Sequence, residues 1–481
     1  MKRITFILLM VSTAICSQAR MPNIIYILAD DLGYGDLGCY GQEKIKTPNI
    51  DALATQGMRF TQHYSGQAVC APSRCSFLTG LHQGHAYIRN NKELPHEGQV
   101  PIPADSFTMA KMLKTKGYAT ACVGKWGLGY PGSEGDPNNQ GFDLFFGNNC
   151  QRHAHQYYRD YLWRNQGKVM YPDNRDIEGP NYSADEMRKE ALAFMEQNKD
   201  QAFFLYYASP IPHVSLQVPD ETLKEYEGLW PETPFKGAYK PATGKGYTGH
   251  KTPRAAYAAM VSHMDRNIGM LMNKLDELGI ADQTLIIFTS DNGATYAGGA
   301  DPKFFDGTAG LRGLKGSHYE GGLRVPFIAK WPGKIPAGTT NEHVSAFWDM
   351  LPTFAEITDA EVPVKVDGIS MLPSMTGKPQ KAHDFLYWEF NAKNYNGGQV
   401  TVRMGDWKGI KTQQLSSGKR NKKNKSKTPH VPGKMQLYNL KTDPFEKNNI
   451  ADRHPEVVAQ IEAIIKREHT PSVLFPFETL D

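Results

Sequence analysis

The chain has 481 residues, 40% of them apolar and 22% charged, with a formal net charge of +4. That content supports one large core and a smaller second one, and it excludes disorder of the whole chain. Losing Lys2 and Arg3 with a leader takes the charge from +4 to +2, too weak a field to argue for a nucleic-acid partner.

Residues 1–19 read as a signal peptide. Lys2-Arg3 precede an apolar run from Ile4 to Ile15, with a small-residue site near Ser17-Gln18-Ala19. The run is too short for a membrane span, so no integral membrane segment is expected after its removal. A rival processing site before Cys16 would leave a lipid anchor, but Ile15 is bulky where a small residue is wanted. The product is expected in the periplasm or outside the cell. Beyond Cys16 the cysteines are Cys39, Cys70, Cys75, Cys122 and Cys150, an odd number in an exported chain. At least one should be unpaired or modified, and the other four are free to pair.

The first element is the apolar run Asn23 to Ala29, which reads as a buried parallel strand delivering Asp30 and Asp31 from its C-terminal end. Ligands of open α/β sheets collect outside such ends. A helix is expected from Thr47 through Gln56. Residues 65–80 then carry Cys70-x-Pro72-Ser73-Arg74-x-x-x-Leu78-Thr79-Gly80. Pro72 drives Ala71 away from the helical region and suits a first helical turn, so Cys70 is placed at or just before a helix N-terminus. There the dipole and the free N–H groups favour negative charge, and Arg74, one turn on, adds a fork of donors.

Ser106 is expected to cap a helix running to Lys116, and Tyr118 to Val123 to return as a strand presenting Gly124-Lys125-Trp126-Gly127-Leu128-Gly129. Residues 130–182 read as a surface loop. A helix follows from Ser183 to Gln197, then a strand from Ala202 to Ala208 whose extension carries His213. Apolar residues at spacings of three and four predict a helix from Arg254 to Leu278. Thr284 to Ser290 is a strand ending in Asp291-Asn292-Gly293. A glycine-rich connection carries Lys315 and Glu320-Gly321-Gly322-Leu323-Arg324-Val325-Pro326, and loops this long are usually functional. Val325 to Lys330 and Trp348 to Ile357 complete this part as strand and helix.

The composition changes near Gly377. The expected division is a catalytic domain over residues 20–378 and a C-terminal α+β module over 379–481. Its strands are expected at 385–390, 399–404, 407–410 and 435–440, with a closing helix at 455–467. The expected architecture is a large, mostly parallel α/β sheet sandwiched by helices, followed by a smaller antiparallel sheet. Within the module, Lys419, Arg420, Lys422, Lys423, Lys425 and Lys427 form a basic run, read as a solvated loop or as a contact for a sulfated polyanion.

Asp30, Asp31, Asp291 and Asn292 make an all-oxygen set from two strand ends, which suits a hard cation, and Ca²⁺ tolerates loop geometry better than Mg²⁺. Either pair alone is weak evidence, since Asp-Asn-Gly is more often a turn. Arg74, Lys125 and Lys315 supply positive charge for an anion.

These residues together resemble the type I sulfatases of the alkaline-phosphatase-like superfamily. The resemblance implies that Cys70 is oxidised by a separate maturation enzyme to formylglycine, whose hydrate is the nucleophile. It implies calcium held by Asp30, Asp31, Asp291 and Asn292, and supporting roles for Arg74, Lys125, His213 and Lys315. Asp291 would take a proton from the hydrate, and His213 with Lys315 would protonate the leaving alcohol. The chain departs from the family at Gly127, where a histidine is usual. His63, His82, His85 or His318 would stand in for it if folded nearby.

The substrate implied is a sulfated oligo- or polysaccharide, with Arg152, His153, His155 and Arg159 as candidate contacts. A phosphatase or phosphodiesterase of the superfamily would instead need two transition-metal ions and more histidine ligands. A decayed, glycan-binding relative would keep the basic features without catalysis.

Overall fold

The computed structural model describes residues 20–95, 97–391, 398–415 and 430–481. The leader and the basic run at 419–427 lie outside the described residues. The first strands are β1 (Asn23–Ala29), β2 (Met58–Tyr64), β3 (Ala119–Lys125), β4 (Leu144–Asn148), β5 (Tyr161–Arg164), β6 (Gly167–Met170) and β7 (Phe203–Ala208). A small ribbon pairs β8 (Phe235–Gly237) with β9 (Thr248–His250). Then come β10 (Thr284–Ser290), β11 (Arg324–Lys330), β12 (Thr339–Asn341) and β13 (Ser345–Ala346). The main sheet has the order β12-β2-β11-β10-β1-β7-β3-β4-β5-β6, with β13 beside β2. Its centre, β10-β1-β7-β3-β4, is parallel.

After Asn23, β1 is a continuous apolar run because both its faces are covered. Ile25, Ile27 and Ala29 pack under helices Ser183–Gln197 and Pro253–Glu277. Ile24, Tyr26 and Leu28 face helices Cys70–Thr79, Met109–Lys114 and Met350–Thr358. Phe77 stacks on Tyr26 with ring centroids 4.1 Å apart. Burying such a ring fully is worth roughly 2–3 kcal/mol, which fixes the helix that begins at Cys70 against the central strand.

The module beyond residue 383 is an antiparallel sheet of β14 (Leu386–Phe390), β15 (Gln399–Met404), β16 (Trp407–Leu415) and β17 (His430–Asn439), covered by helix Pro455–Glu468. Its edge strand braces the loop leading into Cys70: Trp388 Nε1 donates to Ser65 O at 3.0 Å, and Gln67 Nε2 donates to Glu389 O at 2.8 Å.

Several sequence expectations are corrected. Thr108, not Ser106, caps the third helix, its hydroxyl accepting from Lys111 N. The region 130–182 is not all loop, since β4 joins the parallel core and β5 and β6 extend it. β2 is a further strand that the sequence did not mark; its polar alternation reflects a position toward the sheet's edge. β11 runs antiparallel to β10. The segment at Trp348 opens as a short 3-10 turn, Phe347–Asp349, before the helix. The four cysteines other than Cys70 that were free to pair are all thiols. No helix among the described residues is long and apolar enough to cross a membrane.

Candidate functional site

β1 and β10 are parallel neighbours in register, Ala29 opposite Ser290, so their ends deliver Asp30-Asp31 and Asp291-Asn292 side by side. Asp31 sits at φ +67°, a left-handed conformation that turns the chain sharply after the strand. The turn is held by Asp31 N donating to Asp291 Oδ1 at 3.1 Å and Leu32 N to Ser290 Oγ at 3.0 Å. Asn292 Nδ2 donates to Asp31 Oδ1 at 2.8 Å.

Cys70 is the first residue of its helix, as the proline pattern requires, after Val69 in extended conformation. Asn91 Oδ1 accepts from Ala71 N at 3.0 Å, satisfying one of the free N–H groups of that first turn. Asn91 was missed from sequence because nothing local marks a side chain that caps a helix from elsewhere in the chain.

Four charged groups converge on the sulfur. Cys70 Sγ lies 3.4 Å from Asp30 Oδ1, 3.9 Å from Asp31 Oδ1, 3.5 Å from Lys125 Nζ and 3.6 Å from Lys315 Nζ. Lys125, at the end of β3, contacts Asp30 directly, and Lys315 contacts Asp31 Oδ2 at 2.7 Å. Arg74 grips Asp291 Oδ2 through Nε at 3.1 Å and Nη2 at 2.8 Å. Asp291 thus has one oxygen held by the guanidinium and the other by Asp31 N. The family resemblance assigns the proton-accepting role to Asp291, but Asp30 is the carboxylate nearest residue 70.

His213 Nδ1 donates to Val214 O, which leaves Nε2 facing Asp31 Oδ2 at 3.6 Å. Three carboxylates therefore meet three permanent cations in a nearly dry pocket. Side-chain exposure rises from 0% at Asp30, Asp31, Asp291 and Lys125 to 4% at His213 and 10% at Lys315, so the last two mark the way in.

Burial sets the protonation of this cluster. It pushes the Cys70 thiol well above its usual range, with Asp30 adding to the effect. Burial opposes ionisation of Asp30, yet the permanent cations Lys125, Arg74 and Lys315 hold that carboxyl well below the carboxylate range. His213 is kept neutral by burial and by the ammonium groups of Lys125 and Lys315.

The proposed sugar contacts divide. Arg152, His153 and Arg159 line an open groove of about 980 Å³, with Lys168, Arg175 and Lys245. Five cationic side chains there face three carboxylates, Glu97, Asp160 and Asp176. His155 is placed elsewhere: its ring stacks on His213 at 4.9 Å and contacts Tyr247 at 5.1 Å.

The four imidazoles suggested as substitutes for the missing histidine are engaged away from the cluster. His63 bonds Ser345 Oγ at 2.9 Å, and His318 bonds Thr401 Oγ1 and Gln67 Oε1 at 3.1 and 2.7 Å. His82 and His85 stack on each other beside Asp367 and Glu468. Gly84 N donates to His82 Nδ1 at 3.1 Å, so the neutral ring carries its proton on Nε2, toward Glu468.

The chain matches the sulfatase family model over residues 22–360 and the model for the C-terminal region of N-sulphoglucosamine sulphohydrolase over residues 314–470. It is 31% identical to human arylsulfatase A, over 95% of this chain and 89% of that protein. It is 30% identical to an N-acetylgalactosamine-6-O-sulfatase of Bacteroides thetaiotaomicron, over 94% of each. Among solved structures, Ps i-CgsB in complex with k-i-k-neocarrahexaose superposes with a TM-score of 0.75 at 28% identity, covering 93% of each chain. The phosphonate monoester hydrolase of Agrobacterium radiobacter shares the fold, with a TM-score of 0.63 at 20% identity over 93% of this chain and 94% of that one.

Proposed function

The chain belongs to the type I sulfatases and hydrolyses sulfate esters, and from that premise we propose that it desulfates a carbohydrate using a formylglycine made from Cys70 and one calcium ion. The observation that carries this reading is the convergence of Asp30, Asp31, Lys125 and Lys315 on one buried sulfur that burial keeps protonated. A thiol so held is a poor nucleophile. A hydrated aldehyde would give the same carboxylates and ammonium groups two hydroxyls to bond, and it supplies both the attacking oxygen and the means of expelling sulfate.

The residues also fit the metal. Asn292 Oδ1 is buried without a hydrogen-bond partner, its Nδ2 bonds the Asp31 carboxylate, and Asp30 and Asp31 bring carboxylate oxygens close together, with Asp291 tied to the same turn through Asp31 N. A hard cation would suit such a set, and calcium held there would supply positive charge toward the sulfate. Of the protein's own groups, Arg74 anchors Asp291 and hence the turn after β10. Lys125 and Lys315 present fixed donors to the sulfate, so little reorganisation is needed as negative charge spreads over its oxygens. Lys315 and His213 stand on the entry side: the Lys315 ammonium can give the departing alcohol oxygen its proton, and His213, locked through Nδ1 and neutral in the free protein, can do so only after Nε2 has taken up a proton beside the bound sulfate's charge.

A sulfated galactose- or N-acetylgalactosamine-containing glycan is taken as substrate by analogy with the relatives above, and the groove lined by Arg152, His153 and Arg159 is compatible with an anionic sugar chain. Its guanidinium and ammonium groups suit an anionic chain, and His153 stacks on Tyr161 at 4.6 Å in the same wall. Export is supported by Lys2-Arg3 and the apolar run behind them, and the maturation enzyme by the Cys70 signature. The test is sulfate release from position-defined sulfated oligosaccharides, using protein whose residue 70 has been checked by peptide mass. Release from one sulfate position is expected. No release from any of them by the aldehyde-bearing protein refutes the carbohydrate assignment.

A further inference from the structure

Gly127 stands where relatives carry a histidine, and the space that side chain would take is already filled. A Cβ built on Gly127 would lie 2.1 Å from Gln151 Nε2, well inside contact distance, and 4.0 Å from Ala71 Cβ, the neighbour of residue 70. Gly127 also sits at φ +91°, which a histidine adopts only with strain. The backbone brings the two residues together. β3 and β4 are parallel with Lys125 opposite Asn148, and just beyond them Gly127 N donates to Asn149 O at 3.0 Å. Gln151 therefore follows β4 into the space beside the signature helix.

Gln151 is 4% exposed, and both its amide nitrogen and its amide oxygen lack hydrogen-bond partners. A buried amide with neither half bonded contributes nothing to folding and is costly to keep. Such a group is expected where a ligand completes it. The geometry points to Gln151 as the residue that takes over the missing imidazole's place, its NH₂ donating to the bound sulfate and its carbonyl accepting from a hydroxyl of the hydrated residue 70. The amide is neutral and has no proton to exchange, so its part is to hold and orient these oxygens. This inference rests on the formylglycine reading of Cys70.

Gln151→Met keeps the length of the side chain and removes both polar atoms. In protein with residue 70 confirmed as formylglycine, kcat is expected to fall about 100-fold, the scale of losing one preorganised donor. The loss should lie in kcat more than in KM. In unconverted protein, with Cys70 intact, the melting temperature of Gln151→Met should equal or exceed the parent's, because no native hydrogen bond has been removed. A kcat loss under about five-fold, a loss confined to KM, or a lowered melting temperature overturns the assignment. A second pair of variants tests the exchange of place. Gly127→His alone, strained at φ +91° and able to fit only by pushing the Gln151 amide from its place, should be nearly inactive, and adding Gln151→Gly should restore activity at least about ten-fold over it. Equal activities would overturn the exchange. If the active parent carried an unmodified thiol at residue 70, the formylglycine reading itself would fail, a result distinct from all of these.

Discussion

The connection from Asp291 to Leu323 feeds two buried charge clusters that are built differently. Lys315 enters the first, around Cys70, where Asn292 Oδ1 is left unbonded, and beside Gly127 the Gln151 amide is unbonded at both ends. Glu320 enters the second, under the C-terminal sheet. Lys408 stands there 2.8 Å from Glu320 and 3.0 Å from Glu446, and neither ion pair is exposed on its lysine or glutamate side. Tyr64 OH donates to Glu320 Oε2 at 2.7 Å, and Glu320 N donates to Glu446 Oε2 at 2.7 Å. Both clusters are dry, but in the second the charges are matched by partners within the protein, even Glu446 Oε1, which makes no hydrogen bond, lying 3.0 Å from the Lys408 ammonium, while the first retains Asn292 Oδ1 with neither. The first is arranged for chemistry and the second for holding the module to the catalytic sheet.

Substitutions should separate the two. Asp30→Asn is expected to lower kcat/KM about 1,000-fold, the scale of losing a charge-stabilising group that the proposed calcium site would also use. Its denaturation midpoint should stay near the parent's, and a parallel collapse in stability would merge the two clusters. Lys408→Met should do the reverse. Leaving two buried glutamates without their cation costs about 3–5 kcal/mol, read by denaturant unfolding, with kcat per folded molecule unchanged. Lys315→Ala is expected to reduce kcat about 100-fold through loss of a donor at the entry, and Lys315→Arg should recover part of it.

The smallest effect is a pH slope. Burial pushes the Glu446 carboxyl up to about 7, with Lys408 opposing and Glu320 adding to the rise. The folded protein therefore holds a proton that the unfolded chain, titrating near 4.5, releases. Between those values this group's contribution to stability falls as pH rises. Glu446→Gln should flatten that part of the profile while changing stability at acid pH by about 1 kcal/mol or less. An unchanged slope would assign the titration elsewhere.

Much of this arrangement is legible in the sequence because a parallel strand buried on both faces must be apolar throughout. Ile24 to Ala29 and Leu285 to Phe288 are the apolar stretches of two such strands, and the residues just past the strands are polar because they lie at the open end of the sheet. The Cys70 helix was legible from its proline. β4 was not, since Leu144-Phe-Phe-Gly-Asn148 is short and glycine-broken and gains its strand character only by pairing with β3. Asn91 and Gln151 were illegible for a further reason: each acts through a space set by a distant residue, Ala71 in one case and Gly127 in the other. The engagement of Asp291 by Arg74 likewise depends on where a helix one strand away points its guanidinium.

The most direct test is peptide mass spectrometry of the segment spanning Val69 to Arg74, taken from enzyme that is releasing sulfate and made in a host that carries the maturation activity. The account predicts that residue 70 has lost its sulfur and reads as the aldehyde or its hydrate. An intact cysteine at that position in fully active enzyme would contradict it.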